Sequence, residues 1–363
     1  MKTSKILYCA SSDSHLVRFH MPYIRALSQS YAVFLLGNGP RSDYALPFSK
    51  HFFSLSNAKA FLKMRRILRR ESFDAILTHT SMASFLLRLA LKGKKKRPAV
   101  LVTVHGYLFS KDPKGLREHI LLLCERLVRG QTDAIAVMNQ EDHEIAQKYK
   151  LSRGPLFFLF GMGLPDVYGN VRSMDIRNRY SISKQELLLG YVGELSKRKN
   201  QIFLIRAVAK LREDGIPVRL FLVGEGAEKE RLEQEARRIG MAPYIFFLGE
   251  SDAVTSFLTS MDLYVSASRF EGLPFNLMEA MEAGLPILAS AVKGQTDLLI
   301  EEPDSLYSPE SMEEFCQKVK AICKRKVLGA GSCSYPNLSK YRLSEVFDQN
   351  MRIFEGWKTV WKE

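Results

Sequence analysis

The segment Leu263-Tyr264-Val265-Ser266-Ala267-Ser268-Arg269-Phe270-Glu271-Gly272-Leu273-Pro274-Phe275-Asn276-Leu277-Met278-Glu279 sets two glutamates eight positions apart around a strand-to-helix turn. Leu263-Tyr264-Val265 is a buried-strand run, and Asn276 to Ala283 has helical spacing closed by Gly284 and Pro286. Glu271 therefore belongs to the loop and Glu279 lies about one turn into the helix. In an open parallel sheet, ligands bind beyond the carboxyl ends of the strands, where such a loop and helix start meet.

Working outward, short apolar runs alternate with helical stretches throughout. The first half offers Ile6–Ala10, Ala32–Leu36, Ala75–Thr78, Ala99–Val104 and Ala134–Val137. The second half offers Leu187–Val192, Arg219–Val223, Ile245–Leu248, Leu263–Ser266 and Ile287–Ala289. This alternation predicts an α/β fold of two doubly wound, parallel, Rossmann-like sheets. Glycine and proline interrupt it at Gly161 to Asp166, so the expected domains are 1–165 and 166–340, with a C-terminal helical segment over 341–363 centred on Leu343 to Trp361.

With 363 residues and 46% hydrophobic content, the chain has enough apolar material for two cores. Its five cysteines, Cys9, Cys124, Cys316, Cys323 and Cys333, show neither disulfide-framework nor zinc-site spacing, and read as reduced thiols. No run reaches the roughly 18 apolar residues of a membrane span, so the expected location is inside the cell.

Charge is unevenly spread. Residues 1–170 hold 26 Lys and Arg against 12 Asp and Glu, and residues 171–363 hold 27 against 27, so the whole net charge of +14 lies in the first half. Such asymmetry points to an anionic partner for that half. Two clusters stand out, Lys59 to Arg70 and Lys94-Lys95-Lys96-Arg97. The first forms a basic amphipathic helix with Phe61, Met64 and Leu68 on one face. That face suits either an anionic membrane surface or an ordinary domain core. Neither cluster carries the interleaved aromatic platforms of a nucleic-acid binder, so nucleic acid is excluded as the partner.

Two carboxylates at a strand-end turn can accept hydrogen bonds from the vicinal hydroxyls of a ribose or hexose. A solvated surface pair is the ordinary alternative, but other strand-end features accompany this one. Leu189 to Val192 runs into Gly193-Glu194-Leu195-Ser196-Lys197-Arg198-Lys199-Asn200, three consecutive cations after a glycine turn. Cations there can neutralise charge developing on a diphosphate. Val223-Gly224-Glu225-Gly226 is another glycine turn, whose two glycines equally suit a mere tight strand exit, and Gly294-Gln295-Thr296-Asp297 adds a polar loop whose backbone N–H groups suit phosphate.

These motifs, in this order and with Phe247-Leu248-Gly249 between them, resemble family 4 of the GT-B glycosyltransferases. The segment from Glu271 to Glu279 matches that family's pattern of two glutamates separated by seven residues. Thr103-Val104-His105-Gly106-Tyr107 and Thr132 to Val137 with Asn139 to Asp142 are similar to its bacterial exopolysaccharide and capsule members. The resemblance implies two domains facing a central cleft, a nucleotide-sugar donor of UDP type in the C-terminal domain and an acceptor in the N-terminal one. It implies retention of anomeric configuration without a metal or other cofactor.

By position, the donor-binding residues are Gly193, Arg198, Lys199, Glu225, Phe270, Glu271, Gly272, Leu273 and Glu279, with Glu279 on the ribose, Glu271 on the sugar and Lys199 on the diphosphate. His105, Glu271 and Lys199 are the implied catalytic set, and Ser14, His15 and His105 the acceptor side. The chain departs from the family at Glu194, where an arginine is usual. Arg198 or Lys197 is the expected replacement, although Lys and Arg are not equivalent toward phosphate. It departs again at Ser11 to His15, a first loop without glycine. His20 is a weaker candidate than His15, and His79 is expected to be structural.

The implied reaction moves a hexose or N-acetylhexosamine to a polyprenyl-diphosphate-linked saccharide in cell-surface polysaccharide synthesis, by a protein peripheral to the inner face of the cell membrane. A sugar-nucleotide epimerase of the same fold, or a non-catalytic sugar-nucleotide binder, are the competing expectations.

Overall fold

A computed structural model describes residues 4–49, 54–165, 173–327 and 333–356. The first sheet contains β1 (Lys5–Cys9), β2 (Ala32–Gly37), β3 (Tyr44–Ala45), β4 (Ala75–Thr78), β5 (Ala99–Thr103), β6 (Ala134–Val137) and β7 (Leu156–Phe158) in the spatial order β3-β2-β1-β4-β5-β6-β7. The second contains β8 (Leu187–Val192), β9 (Val218–Val223), β10 (Ile245–Gly249), β11 (Leu263–Ser266), β12 (Ile287–Ser290) and β13 (Leu306–Tyr307) in the order β10-β9-β8-β11-β12-β13. Every ladder between these strands is parallel.

Parallel strands covered by helices on both faces must be apolar throughout, and this is how the central strands read. β4, β5, β6 and β8 are buried at every residue. In each sheet the chain winds outward one way from the first strand and then returns to wind the other way. This places a switch point between β1 and β4 in one sheet and between β8 and β11 in the other. The carboxyl ends of those strand pairs are where ligands are expected.

The chain divides into two units, one formed by residues up to Gly163 with those from Lys340 onward, the other by Leu164–Ser339. In the first, the C-terminal helix Leu343–Gly356 docks through Asn350, whose Nδ2 donates to the Tyr23 hydroxyl and the Gly161 carbonyl, both at 2.9 Å. The segment expected to reach Trp361 is helical to Gly356, and its remainder lies outside the described residues.

Within the same unit, the helices Ser81–Leu91 and Gly115–Val128 are joined by buried Arg88, which makes a bidentate pair with Glu125 at 2.9 and 3.0 Å and also donates to the Thr132 hydroxyl. Removing either partner of such a pair strands a buried charge. No helix among the described residues is long and apolar enough to cross a membrane.

Candidate active site

In the second unit the turn after β8 is shaped by close backbone approach. Gly193 has φ +141°, and a Cβ there would press on the Tyr191 hydroxyl at 2.9 Å. Gly224, at φ +132° after β9, backs directly onto the Gly193 carbonyl, where no side chain fits. These two glycines bring the turns after β8 and β9 together, and Leu195 N–H donates to the Glu225 carbonyl at 2.9 Å. Asn276, on the helix Phe275–Glu282 that carries Glu279, donates to the Val192 carbonyl at 2.5 Å and fixes that helix to the end of β8.

Lys199 Nζ lies 2.6 Å from Glu271 Oε1, and Arg198 Nη1 lies 2.6 Å from Glu271 Oε2. Arg198 also donates to the Phe270 carbonyl at 3.2 Å and stands 5.7 Å from the Phe270 ring centroid. The Lys199 and Glu271 residues are only 7% and 5% exposed, so this is a nearly dry ion cluster. Burial alone would raise the Glu271 carboxyl, but the adjacent Lys199 and Arg198 cations outweigh it and hold it below the usual carboxylate range. Burial lowers Lys199 in turn, with Glu271 pulling the other way.

A buried polar network supports the loop. The Ser290 hydroxyl donates to the Ser268 carbonyl at 2.6 Å, Gln295 Nε2 to the Ser266 hydroxyl at 2.6 Å, and the Tyr307 hydroxyl to the Ser266 carbonyl at 3.1 Å. Gly272 packs through its carbonyl against Gly294, and Leu273 is buried.

The structure brings Lys199, Arg198, Phe270 and Glu271 together, with Arg198 paired to Glu271 and Lys197 exposed. Glu225 is not part of this cluster. Its carboxylate is exposed and paired with Lys229 at 2.7 Å. The supporting roles of Ser290 and Tyr307 were not anticipated, because a single serine or tyrosine in a strand carries no spacing signal.

In the first unit four histidines converge at the carboxyl ends of β1, β4 and β5. His15 and His105 rings meet edge to face at 4.8 Å, His20 and His79 centroids lie 4.0 Å apart, and His79 Nδ1 is 3.3 Å from His105 Nε2. Tyr8 stacks on His79 and bonds His20 Nδ1 through its hydroxyl at 2.9 Å. Burial pushes His15 down to about 4 and holds His20, His79 and His105 well below the ordinary histidine range. At neutral pH the group is therefore uncharged. Ser14 is exposed and bonds Ser12 at 2.5 Å.

The glycine-free first loop also has a local explanation. Ser12 caps the helix Asp13–Phe19, and buried Asp13 accepts from Ser42 Oγ at 2.6 Å and Arg41 N–H at 2.8 Å. The glycines that permit this approach are Gly37 and Gly39 after β2, where a Cβ would collide with the Asp13 carboxylate.

Two glycosyltransferase family models match consecutive parts of the chain, "Glycosyltransferase Family 4" over residues 22–158 and "Glycosyl transferases group 1" over residues 173–330. The chain belongs to glycosyltransferase family 4 and has the GT-B fold. It is therefore a glycosyltransferase.

Among its relatives, putative glycosyltransferase EpsD of Bacillus subtilis is 26% identical over 82% of this chain and 81% of its own length. The UDP-Gal:alpha-D-GlcNAc-diphosphoundecaprenol alpha-1,3-galactosyltransferase of Escherichia coli is 24% identical over 80% and 79%. Anabaena Alr3699/HepE, solved with UDP and glucose, superposes with a TM-score of 0.69 at 17% identity, covering 97% of this chain and all of that one.

Proposed function

We propose that this glycosyltransferase moves a hexosyl or N-acetylhexosaminyl group from a UDP-sugar to a polyprenyl-diphosphate-linked saccharide, with retention, during surface-polysaccharide assembly. The observation that carries the reading is the buried Lys199–Glu271–Arg198 cluster behind the Gly193 turn. A diphosphate arriving at this turn exchanges one anionic partner of Lys199 and Arg198 for another, and frees Glu271 to accept from sugar hydroxyls. Glu279, one turn into its helix, takes the ribose. The two cations supply the charge that a metal supplies elsewhere, so no metal is needed at the diphosphate.

In the transfer step the bond from the anomeric carbon to the diphosphate oxygen breaks and a bond to the acceptor oxygen forms on the same face. The acceptor proton passes to the departing diphosphate. In the metal-free protein His105, neutral at the end of β5, hydrogen-bonds the sugar or the acceptor through the ring nitrogen that His79 does not hold. The lipid-linked acceptor is supported by the named substrate of the Escherichia coli relative, and the UDP-type donor by the UDP bound to the Anabaena neighbour.

Two surface features of the first unit support membrane attachment. The helix Leu55–Arg70 buries Ala60, Met64 and Leu68 in its own core, while its cations and two leucines, Leu55 and Leu62, stay exposed. Arg97 of the second basic cluster is occupied by Asp133 at 2.6 and 2.8 Å. The helix Gly115–Val128 instead exposes Leu116, Ile120, Leu123 and Leu127, with Leu116 at 78% and Leu123 at 64%. These positions form one stripe, flanked by exposed Arg117 and Arg126.

Beside that helix is a cavity of about 460 Å³, lined largely by Phe48, Met82, Phe85, Tyr107, Phe109 and Leu121. We assign the stripe to an anionic lipid surface and the cavity to the apolar part of the acceptor.

The decisive assay incubates purified protein with labelled UDP-sugars and an undecaprenyl-diphosphate-linked sugar. Label appearing in the lipid product with retained configuration supports the reading. An isomerised nucleotide sugar, or saturable binding without turnover, overturns it.

A further inference from the structure

We propose that His15, His20 and His105 form a binding site for a divalent transition-metal ion of the Zn²⁺ or Co²⁺ class in the first unit, separate from the donor site. One ring nitrogen from each residue lies within 4.8 Å of the other two. Four-coordinate Zn²⁺ holds imidazole nitrogens at 2.0–2.1 Å, which sets them about 3.3 Å apart in a tetrahedron. The three nitrogens thus need to draw in by an ångström or so, a movement that ring rotation supplies. His15 is the ring best placed to move, being half-buried on the helix Asp13–Phe19.

Independent observations point to a ligand here. The Nε2 atoms of His15 and His20 are buried without a hydrogen-bond partner, and His20 is wholly inaccessible. An orphaned polar atom in such a place carries the full cost of its lost hydration. A metal ion satisfies both nitrogens at once.

Two residues are set as outer partners hold metal ligands. Tyr8 engages the other nitrogen of His20 at 2.9 Å, so that when His20 Nδ1–H donates to the tyrosine oxygen, Nε2 keeps its lone pair for a metal. His79 fixes the His105 ring through the 3.3 Å contact. The absence of a charged partner also matters: neutral imidazoles are the ligand form, and their burial keeps them neutral. Soft thiolates are lacking among these donors, and an all-nitrogen set suits Zn²⁺, Co²⁺, Ni²⁺ or Cu²⁺ better than Mg²⁺ or Ca²⁺. Three imidazoles leave a fourth position for water or an oxygen ligand.

The test is binding of the metal itself to untagged, chelator-stripped full-length protein, independent of any transfer assay. Co²⁺ titration should give a saturable signal at one ion per chain, with the visible absorption of four-coordinate cobalt, and Zn²⁺ should displace it. His15→Ala should weaken binding at least about tenfold, and His79→Asn about tenfold by releasing His105. His105→Ala keeps the test decisive should His15→Ala fail to fold, as judged by circular dichroism. His119→Ala and His143→Ala, on surface helices, should change nothing. No saturable cobalt signal, a signal unaltered by His15→Ala and His105→Ala, or one lost in the surface-histidine variants would overturn the proposal.

Discussion

The two units solve the same problem, a polar site at the carboxyl edge of a parallel sheet, in opposite electrical ways. The second unit buries full charges and compensates them internally, with Glu271 held between Lys199 and Arg198. The first gathers four titratable rings, two wholly and two half-buried, with no counter-ion among the described residues, and keeps them neutral, while its excess of cations faces outward. A self-compensated ion cluster is poised to exchange one anion for another. A neutral imidazole cluster is poised to accept a cation or donate hydrogen bonds. The difference therefore teaches which ligand chemistry each sheet edge can receive.

The comparison breaks most visibly if the charges of the second unit can be removed singly without consequence. Lys199→Met should lower kcat/KM for transfer by about 10²–10³, the usual loss when one stabiliser of developing charge is deleted. It should also destabilise the fold by about 3–5 kcal/mol, because Glu271 loses a buried partner. The double variant Lys199→Met/Glu271→Gln should recover most of that stability and none of the activity. Thermal denaturation beside transfer kinetics makes the distinction, and equal stability of single and double variants would show that the pair is not coupled.

A smaller effect is expected in the first unit. His105→Ala should reduce kcat about 10²-fold, at the lower end of what one positioned acid–base or hydrogen-bonding group contributes. The KM for the UDP-sugar should barely change, since that ligand belongs to the other unit. A rise in donor KM with kcat intact would reverse the assignment.

Acid distinguishes the units again. The histidines have lowered folded pKa values, so below about 6.5 the unfolded chain takes up protons that the native cluster refuses. Metal-stripped protein should lose stability progressively as pH falls from about 6.5 toward the His15 value of about 4, and show no cluster-dependent change above that window. Glu271 is also lowered, but its contribution is present above the carboxylate range and is lost only below about 4.5. Melting temperature should therefore begin to fall near pH 6.5 and fall more steeply below about 4.5, and His15→Gln should make the upper part shallower.

How legible all this was in the sequence depended on whether a feature is local. The central strands follow from continuous apolar runs, and β11 with its loop and helix follows from one unbroken segment. The three strands that escaped notice, β3, β7 and β13, are two or three residues long at or near sheet edges, too short to show a period. Glu271 and Lys199 are legible because each lies in a glycine-containing loop that follows a strand. That they touch is a product of β8 and β11 being neighbours, which no spacing along the chain reveals. The histidine group was seen only piecemeal for the same reason. His79 looked structural until the pairing of β1 with β4, and of β4 with β5, brought it beside His20 and His105. Asp13 was overlooked because its partners, Arg41 and Ser42, lie 28 and 29 residues away.

The smallest effect concerns the outward face of the first unit, and it separates two sources of attraction that the sequence ran together. The basic helix Leu55–Arg70 offers mainly charge, with Ala60, Met64 and Leu68 committed to the core and Leu55 and Leu62 exposed, whereas the helix Gly115–Val128 offers a stripe of four uncommitted apolar side chains flanked by Arg117 and Arg126. Charge alone acts within a Debye length, about 8 Å at physiological ionic strength, and each cation near an anionic leaflet is worth about 1 kcal/mol. A leucine fully transferred out of water is worth about 1.5–3 kcal/mol. Leu123→Glu should then weaken sedimentation with phosphatidylglycerol-containing vesicles more than tenfold, with the loss persisting at high salt. Arg117→Ala should cost about fivefold, and only at low salt. Lys63→Ala, on the helix whose Ala60, Met64 and Leu68 are already buried, should cost less than either. If the order came out reversed, with Lys63 dominant and Leu123 silent, the first unit would be a purely electrostatic docking surface, and the exposed stripe would need another occupant.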